Sequence, residues 1–320
     1  MKQHTMHEAL LHAIKEKVPQ GTTAANILMD ILFIGKEAVY RRLRGEVAFT
    51  FEEAAIISRH FGISLDDISG VGRMKNRSFH LQLAEYINPA KTDYDQMEDL
   101  ISLMHTTRGD PSTEAAYAIN ILPQTLYFKY EYITKFYMFK WLYQSNVHSQ
   151  LKTLEEIKLS PQLKDVQQRY LNESIQIKNT YYILDNLLFQ YLANDIKYFS
   201  SIRFITEEDV AALKKDLLNL IDYMEHLASR GSFDNGNKVQ FYLSGINLDS
   251  TYSYIQTTNY NISHIRVFTL NAVVSLDGGT FDQLKNWLYA LKRLSILISE
   301  SGEMQRVQFF KKQRDLINSI

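Results

Sequence analysis

The chain has 320 residues, 35 Lys and Arg against 36 Asp and Glu, a formal net charge of −1, and 45% hydrophobic residues. These are the proportions of an ordinary globular protein, long enough for two or three domains with real cores. The lack of any cysteine excludes disulfides, thiolate metal sites and cysteine nucleophiles, and suits a reducing compartment.

The opening stretch, MKQHTMHEALLHAIKEKV, has no apolar segment of the length an export signal needs. No run approaches about eighteen uncharged apolar residues, so no membrane partner is expected, and the expected location is cytoplasmic. Residues 7–18 form an amphipathic helix stopped by Pro19 and Gly21, and the histidines at its start (His4, His7, His12) are expected to face solvent. Thr22 or Thr23 caps a second helix running to about Phe33. After Gly35, a third helix over 36–44 gathers Lys36, Arg41, Arg42 and Arg44 with only Glu37 opposing them inside it. At helical spacing Glu37, Tyr40, Arg41 and Arg44 share one face, while Val39 and Leu43 point the other way. Thr50 with Glu53 three residues on is a capping box that opens a fourth helix, ended by Gly62, and Ser64 caps a short fifth one that ends at Ile68.

The ungapped stretch Ile34 to Ile68, with its basic helix closing on Arg44-Gly45, its helix start TFEEAAIISRHFG and its ending GISLDDI, resembles the phage-repressor, Cro and Xre family of helix-turn-helix DNA-binding domains. The resemblance covers roughly the first fifth of the chain. It implies a five-helix, lambda-repressor-like domain over residues 1–69 that acts in transcription regulation. It places Lys36, Glu37, Tyr40, Arg41 and Arg44 where family members approach base edges and flanking phosphates of double-stranded DNA, as homodimers. The chain departs from the family at two points. Phe33 stands where the family has a turn glycine, with Gly35 two residues later, so a differently shaped turn is expected. Ala24 and Ala25 occupy the place of a frequent glutamine. Residues 1–77 hold 11 Lys and Arg against 9 Asp and Glu, a net +2, and the rest of the chain nets −3. Such weak positive charge makes DNA affinity depend on local clustering and on pairing two copies. The alternative from another class is a protein-interaction module whose basic helix docks an acidic partner.

Residues 70–79 read as a flexible basic linker, with Arg73, Lys75 and Arg77. From 80 to 232 the pattern predicts helices that form a core and dimerisation region: 92–107, an aromatic-rich 117–143, 161–196 and 206–229, the last opened by Thr206. The ten aromatics of 117–143 are expected to pack a core, with a dimer interface or an effector pocket as lesser readings. Residues 233–320 change character. Strands at 239–244, 251–257 and 264–276 are followed by a helix with Phe281, Leu284, Leu288, Leu291, Leu294 and Ile298 on one stripe, then a last helix over 303–318. A small α/β region with an antiparallel sheet is expected there, a candidate sensor or dimerisation module. The fold class expected for the whole chain is therefore mainly α. No HExxH, Gly-x-Ser-x-Gly or phosphate-binding loop occurs, so neither enzymatic activity nor a cofactor or metal is expected, and any effector would be a small molecule or protein of unstated identity.

Overall fold

A computed structural model describes residues 5–18, 22–63, 65–69, 80–82, 89–106, 108–145, 153–258 and 260–320. The chain divides into two compact units, Met1–Ser78 and Phe79–Ile320. The expected linker, 70–79, lies outside the described residues, as do His4, Pro19, Gly21 and Ser64.

The first unit is built from α1 (Met6–Lys17), α2 (Ala24–Leu32), α3 (Lys36–Leu43), α4 (Phe51–Phe61) and α5 (Leu65–Ser69). Local chemistry sets most of these boundaries. Thr5 and Glu8 form a capping box at the start of α1, and Thr50 and Glu53 form another at α4. Thr23 accepts from the Asn26 amide to cap α2. Leu10, Ile14, Leu28, Val39, Ile57 and Phe61 supply one core shared by the first four helices. His7 is not solvent-exposed as the sequence leads one to expect. Its Nε2 meets the Arg42 carbonyl at 2.9 Å and its Nδ1 meets the Phe49 amide at 3.4 Å. A carbonyl on one side and an N–H on the other fit the neutral ring protonated on Nε2. The ring thus ties the start of α1 to the segment that follows α3.

The second unit is organised by an eight-stranded sheet in the order β1-β7-β6-β5-β2-β3-β4-β8. Its strands are β1 (His80–Gln82), β2 (Glu114–Ile119), β3 (Asn179–Leu184), β4 (Lys238–Leu243), β5 (Tyr252–Gln256), β6 (Asn261–Val267), β7 (Asn271–Ser275) and β8 (Ile296–Leu297). Strands β2, β3 and β4 are mutually parallel and the remaining pairings are antiparallel. Two expectations are corrected here. The sheet is mixed, not purely antiparallel, and it draws β1, β2 and β3 from the stretch expected to be wholly helical. It therefore crosses the boundary expected between 232 and 233. The physical reason lies in burial. β2 (EAAYAI) and β3 (NTYYIL) are covered on both faces, so they lack the apolar–polar alternation that betrays a half-exposed strand.

Parallel strands need crossovers. Helix α6 (Lys91–His105) precedes β2, and α7 (Gln124–Tyr127), α8 (Glu131–Ser145) and α9 (Pro161–Ser174) run between β2 and β3. Between β3 and β4 run α10 (Leu188–Ser201) and α11 (Glu207–Arg230). The last two helices are α12 (Gly278–Arg293) and α13 (Glu303–Asn318). Side-chain alternation divides the sheet into two faces. Tyr117, Ile119, Tyr182, Leu184, Val239 and Phe241 join the large core with helices α8, α10, α11 and α13. Ala116, Ala118, Tyr181, Ile183 and Tyr242 pack with Phe281, Leu288 and Leu291 of α12. Of the aromatics in 117–143, Tyr127, Tyr130, Phe136, Tyr137 and Phe139 are buried in the large core, whereas Tyr143 is exposed. The expected run 264–276 is a hairpin, β6 turning into β7. No helix among the described residues is long and apolar enough to cross a membrane.

Candidate nucleic-acid interface

The site begins with how α3 is held. Phe33 ends α2 in the left-handed region (φ 53°, ψ 37°), its amide donating to the Met29 carbonyl at 3.1 Å. A side chain at positive φ is costly, yet the backbone takes the conformation that glycine would adopt at such a C-cap. The ring of Phe33 is almost fully exposed, at 92%. Gly35, by contrast, is extended (φ −66°, ψ 155°) and serves only as the N-cap of α3. The left-handed residue at this turn is therefore Phe33 and not Gly35.

Val39 is fully buried and Leu43 packs against the same core, which fixes the rotation of α3 about its axis. That rotation leaves Lys36, Glu37, Tyr40 and Arg41 exposed, with Arg44 half-exposed at the helix end. The Lys36 Nζ lies 6.0 Å from the Tyr40 ring centroid, at the outer limit of a cation–π contact. The five expected site residues thus share one outward surface.

Arg42 does not belong to that surface. It turns inward, its Nε and Nη2 donating to the two carboxylate oxygens of Glu53 at 3.0 and 2.8 Å, and its Nη1 donating to the Ala38 carbonyl at 3.2 Å. Both partners are only 15% exposed. Glu53 also accepts from the Thr50 amide at 2.9 Å, so one carboxylate closes the α4 capping box and anchors α3 at once. Burial pushes the Glu53 carboxyl up, but the hydrogen bonds from Arg42 and Thr50 outweigh it and hold it below its ordinary value.

The end of α3 brings in an acid from outside residues 36–44. Gly45 is left-handed (φ 78°), its amide donating to Arg42 O at 3.0 Å and the Glu46 amide donating to Arg41 O at 2.9 Å. This is the paired bonding of a Schellman cap, and it folds Glu46 back over the last turn. There Glu46 accepts from Arg44 Nε at 2.6 Å and stands 3.7 Å from Arg41 Nε, while Glu37 accepts from Arg44 Nη2 at 3.3 Å. Hydrogen bonds from Glu46 and then Glu37 raise the Arg44 guanidinium above its ordinary value, and the Arg44 bond lowers Glu46. The outward surface therefore carries three cations and two carboxylates. Its two arginines can grip phosphates and offer planar donors to base edges by displacing the acids they hold. Glu46 and the inward Arg42 are what sequence reasoning missed. The signal for the first is Gly45, whose cap returns the next residue to the helix.

No family model matches the chain, and neither a curated protein nor a solved structure does.

Proposed function

We propose that the chain is a sequence-specific DNA-binding transcriptional regulator whose first 69 residues act as a lambda-repressor-like reader domain. In this reading α3 enters the major groove, Lys36, Arg41 and Arg44 contact phosphates or guanines, and Tyr40 and Glu37 tune base choice. The observation that carries it is the division of labour on α3. Val39 and Leu43 anchor the helix from beneath, while Lys36, Tyr40, Arg41 and Arg44 stand outward on one face. The second unit would hold two copies together as a homodimer, placing the two readers on half-sites about 34–36 Å apart.

The test is a salt titration of the full chain on random and on selected duplexes, repeated with Arg41→Ala. Binding whose logarithm falls linearly with log salt is the expected result. Loss of about 1–3 kcal/mol confined to particular sequences would assign Arg41 to a base, and an equal loss on all sequences would assign it to the backbone. Negligible affinity for any duplex at low salt would overturn the proposal in favour of an acid-docking protein module.

A further inference from the structure

The face of the sheet that meets the large core changes chemistry partway across. From β4 through β2 it is apolar, but the in-register row Tyr117, Ser253, His264 carries it onto polar ground at β5 and β6. Arg266, two residues beyond His264, emerges on the same face. Here the sheet and α6 are not in contact throughout. A cavity of about 140 Å³ lies between them, with Leu100 and Met97 of α6 and Tyr170 of α9 opposite Ser253, His264 and Arg266. The cavity is half-open, and its volume would take a body about the size of benzene, on the order of 150 Å³.

Arg266 gives the cavity its character. Its Nε donates to Thr269 O at 2.6 Å, its Nη1 to Leu122 O at 2.8 Å, and its Nη2 to the Tyr127 hydroxyl at 3.3 Å. The rings of Tyr127 and Tyr137 lie 6.0 and 5.7 Å from its central carbon. Every one of these partners is uncharged, and among the described residues no carboxylate forms a salt bridge with it. One N–H on each terminal nitrogen is left over from these three bonds. A carboxylate presented to this guanidinium, which is held by carbonyls and rings, would meet no rival carboxylate among the described residues.

The backbone that aims Arg266 is strained. Phe268 and Thr269 both have positive φ (48° and 68°) in the β6–β7 turn, a conformation that a β-branched residue rarely adopts. It persists with the Thr269 carbonyl on Arg266 and the Thr269 hydroxyl donating to Gln144 at 2.5 Å. His264 adds no competing charge, because burial lowers its imidazole to about 4 and leaves it neutral at neutral pH.

We propose that this cavity binds a small planar monocarboxylate, with the carboxylate on Arg266 and an aromatic or unsaturated body of about six to ten heavy atoms between Tyr117, Leu100 and Met97. The proposal does not depend on DNA binding, and its test reads no DNA.

The experiment is thermal unfolding and titration calorimetry of the full chain with benzoate, phenylacetate and the neutral isostere benzamide. At least one carboxylate is expected to raise Tm by about 5–10 °C at roughly one hundred times its Kd, with benzamide giving no shift. Arg266→Gln should abolish the effect. Because Arg266 also ties down two carbonyls, Ala272→Leu serves as a second variant, filling the cavity from its lining and leaving Arg266 itself unsubstituted. It too should lose binding. No shift with either carboxylate, equal shifts with benzoate and benzamide, or carboxylate binding that survives Ala272→Leu would each overturn the proposal.

Discussion

Glu46 accepts from the Nε of Arg44 at 2.6 Å, an ion pair made by the chain turning back on itself at Gly45 rather than by helical spacing. The same carboxylate reaches toward Arg41. On the DNA-binding reading Glu46 is an internal competitor for phosphate, occupying the two arginines that would otherwise release counterions from the duplex. Glu46→Gln is therefore expected to tighten binding and to steepen the slope of log K against log salt by about 0.9 for each additional phosphate neutralised. A salt titration measures it directly, and an unchanged slope would mean that both arginines already leave Glu46 when DNA arrives.

Arg42 and Glu53 predict behaviour of a different kind. Arg42→Ala removes three hydrogen bonds from a nearly buried pair and leaves a carboxylate without its cation. A loss of about 2–4 kcal/mol from the stability of the first unit is expected, read as a lower denaturant midpoint. The pH dependence follows from the sign of the shift. The Glu53 carboxyl is depressed in the folded chain, so its contribution is fully present above its unfolded value of 4.5 and is lost as pH falls through the lower folded value. Acid unfolding of Glu53→Gln should accordingly show a weaker dependence on pH in that window than the parent chain does.

Phe33→Gly should stabilise the protein. The left-handed backbone at this position costs a side-chain-bearing residue about 1–2 kcal/mol, and an almost wholly exposed ring loses little burial when it is removed. Glycine's greater freedom in the unfolded chain returns part of this gain, so a net increase of about 0.5–1 kcal/mol is expected in a denaturant titration. If DNA affinity falls while stability rises, the exposed ring is making contact with the duplex.

Gly302→Ala should do the reverse. Gly302 is left-handed (φ 71°), and a Cβ there would come within 2.4 Å of the Leu297 carbonyl oxygen, a backbone atom that cannot swing aside. The residue also caps α13, whose Phe309, Phe310 and Ile317 are buried. A cost of about 1–3 kcal/mol is expected, visible as a lower Tm.

What could be read from the sequence was what short-range chemistry decides. The Thr50–Glu53 capping box, the left-handed Gly62 that ends α4 and the start of α11 at Thr206 are all set by residues within four positions of one another. The rotation of α3 was also legible, since Val39 and Leu43 are its only aliphatics below the outward face. The illegible parts are those decided at a distance. Arg42 looks like any other cation of its helix until Glu53, eleven residues on, is brought beside it. β2 and β3 carry no period of two because neither face meets water, and the polar patch of Ser253, His264 and Arg266 takes shape only when β5 and β6 are aligned. The joining of the parallel strands to the β5–β6–β7 meander rests on β2 pairing with β5 across more than a hundred residues, which no local pattern encodes.

That last pairing has a consequence for how the protein is made. Glu114 lies opposite Gln256, so the central strand of the sheet waits for its neighbour until most of the chain has left the ribosome. The five helices of the first unit, by contrast, pack together over short sequence separations and can form within microseconds to milliseconds of emerging. Synthesis then yields a finished first unit while the second is still incomplete. Refolding from denaturant should run in two kinetic phases, the fast one reported by helix content and the slow one by the burial of the aromatic side chains of the sheet.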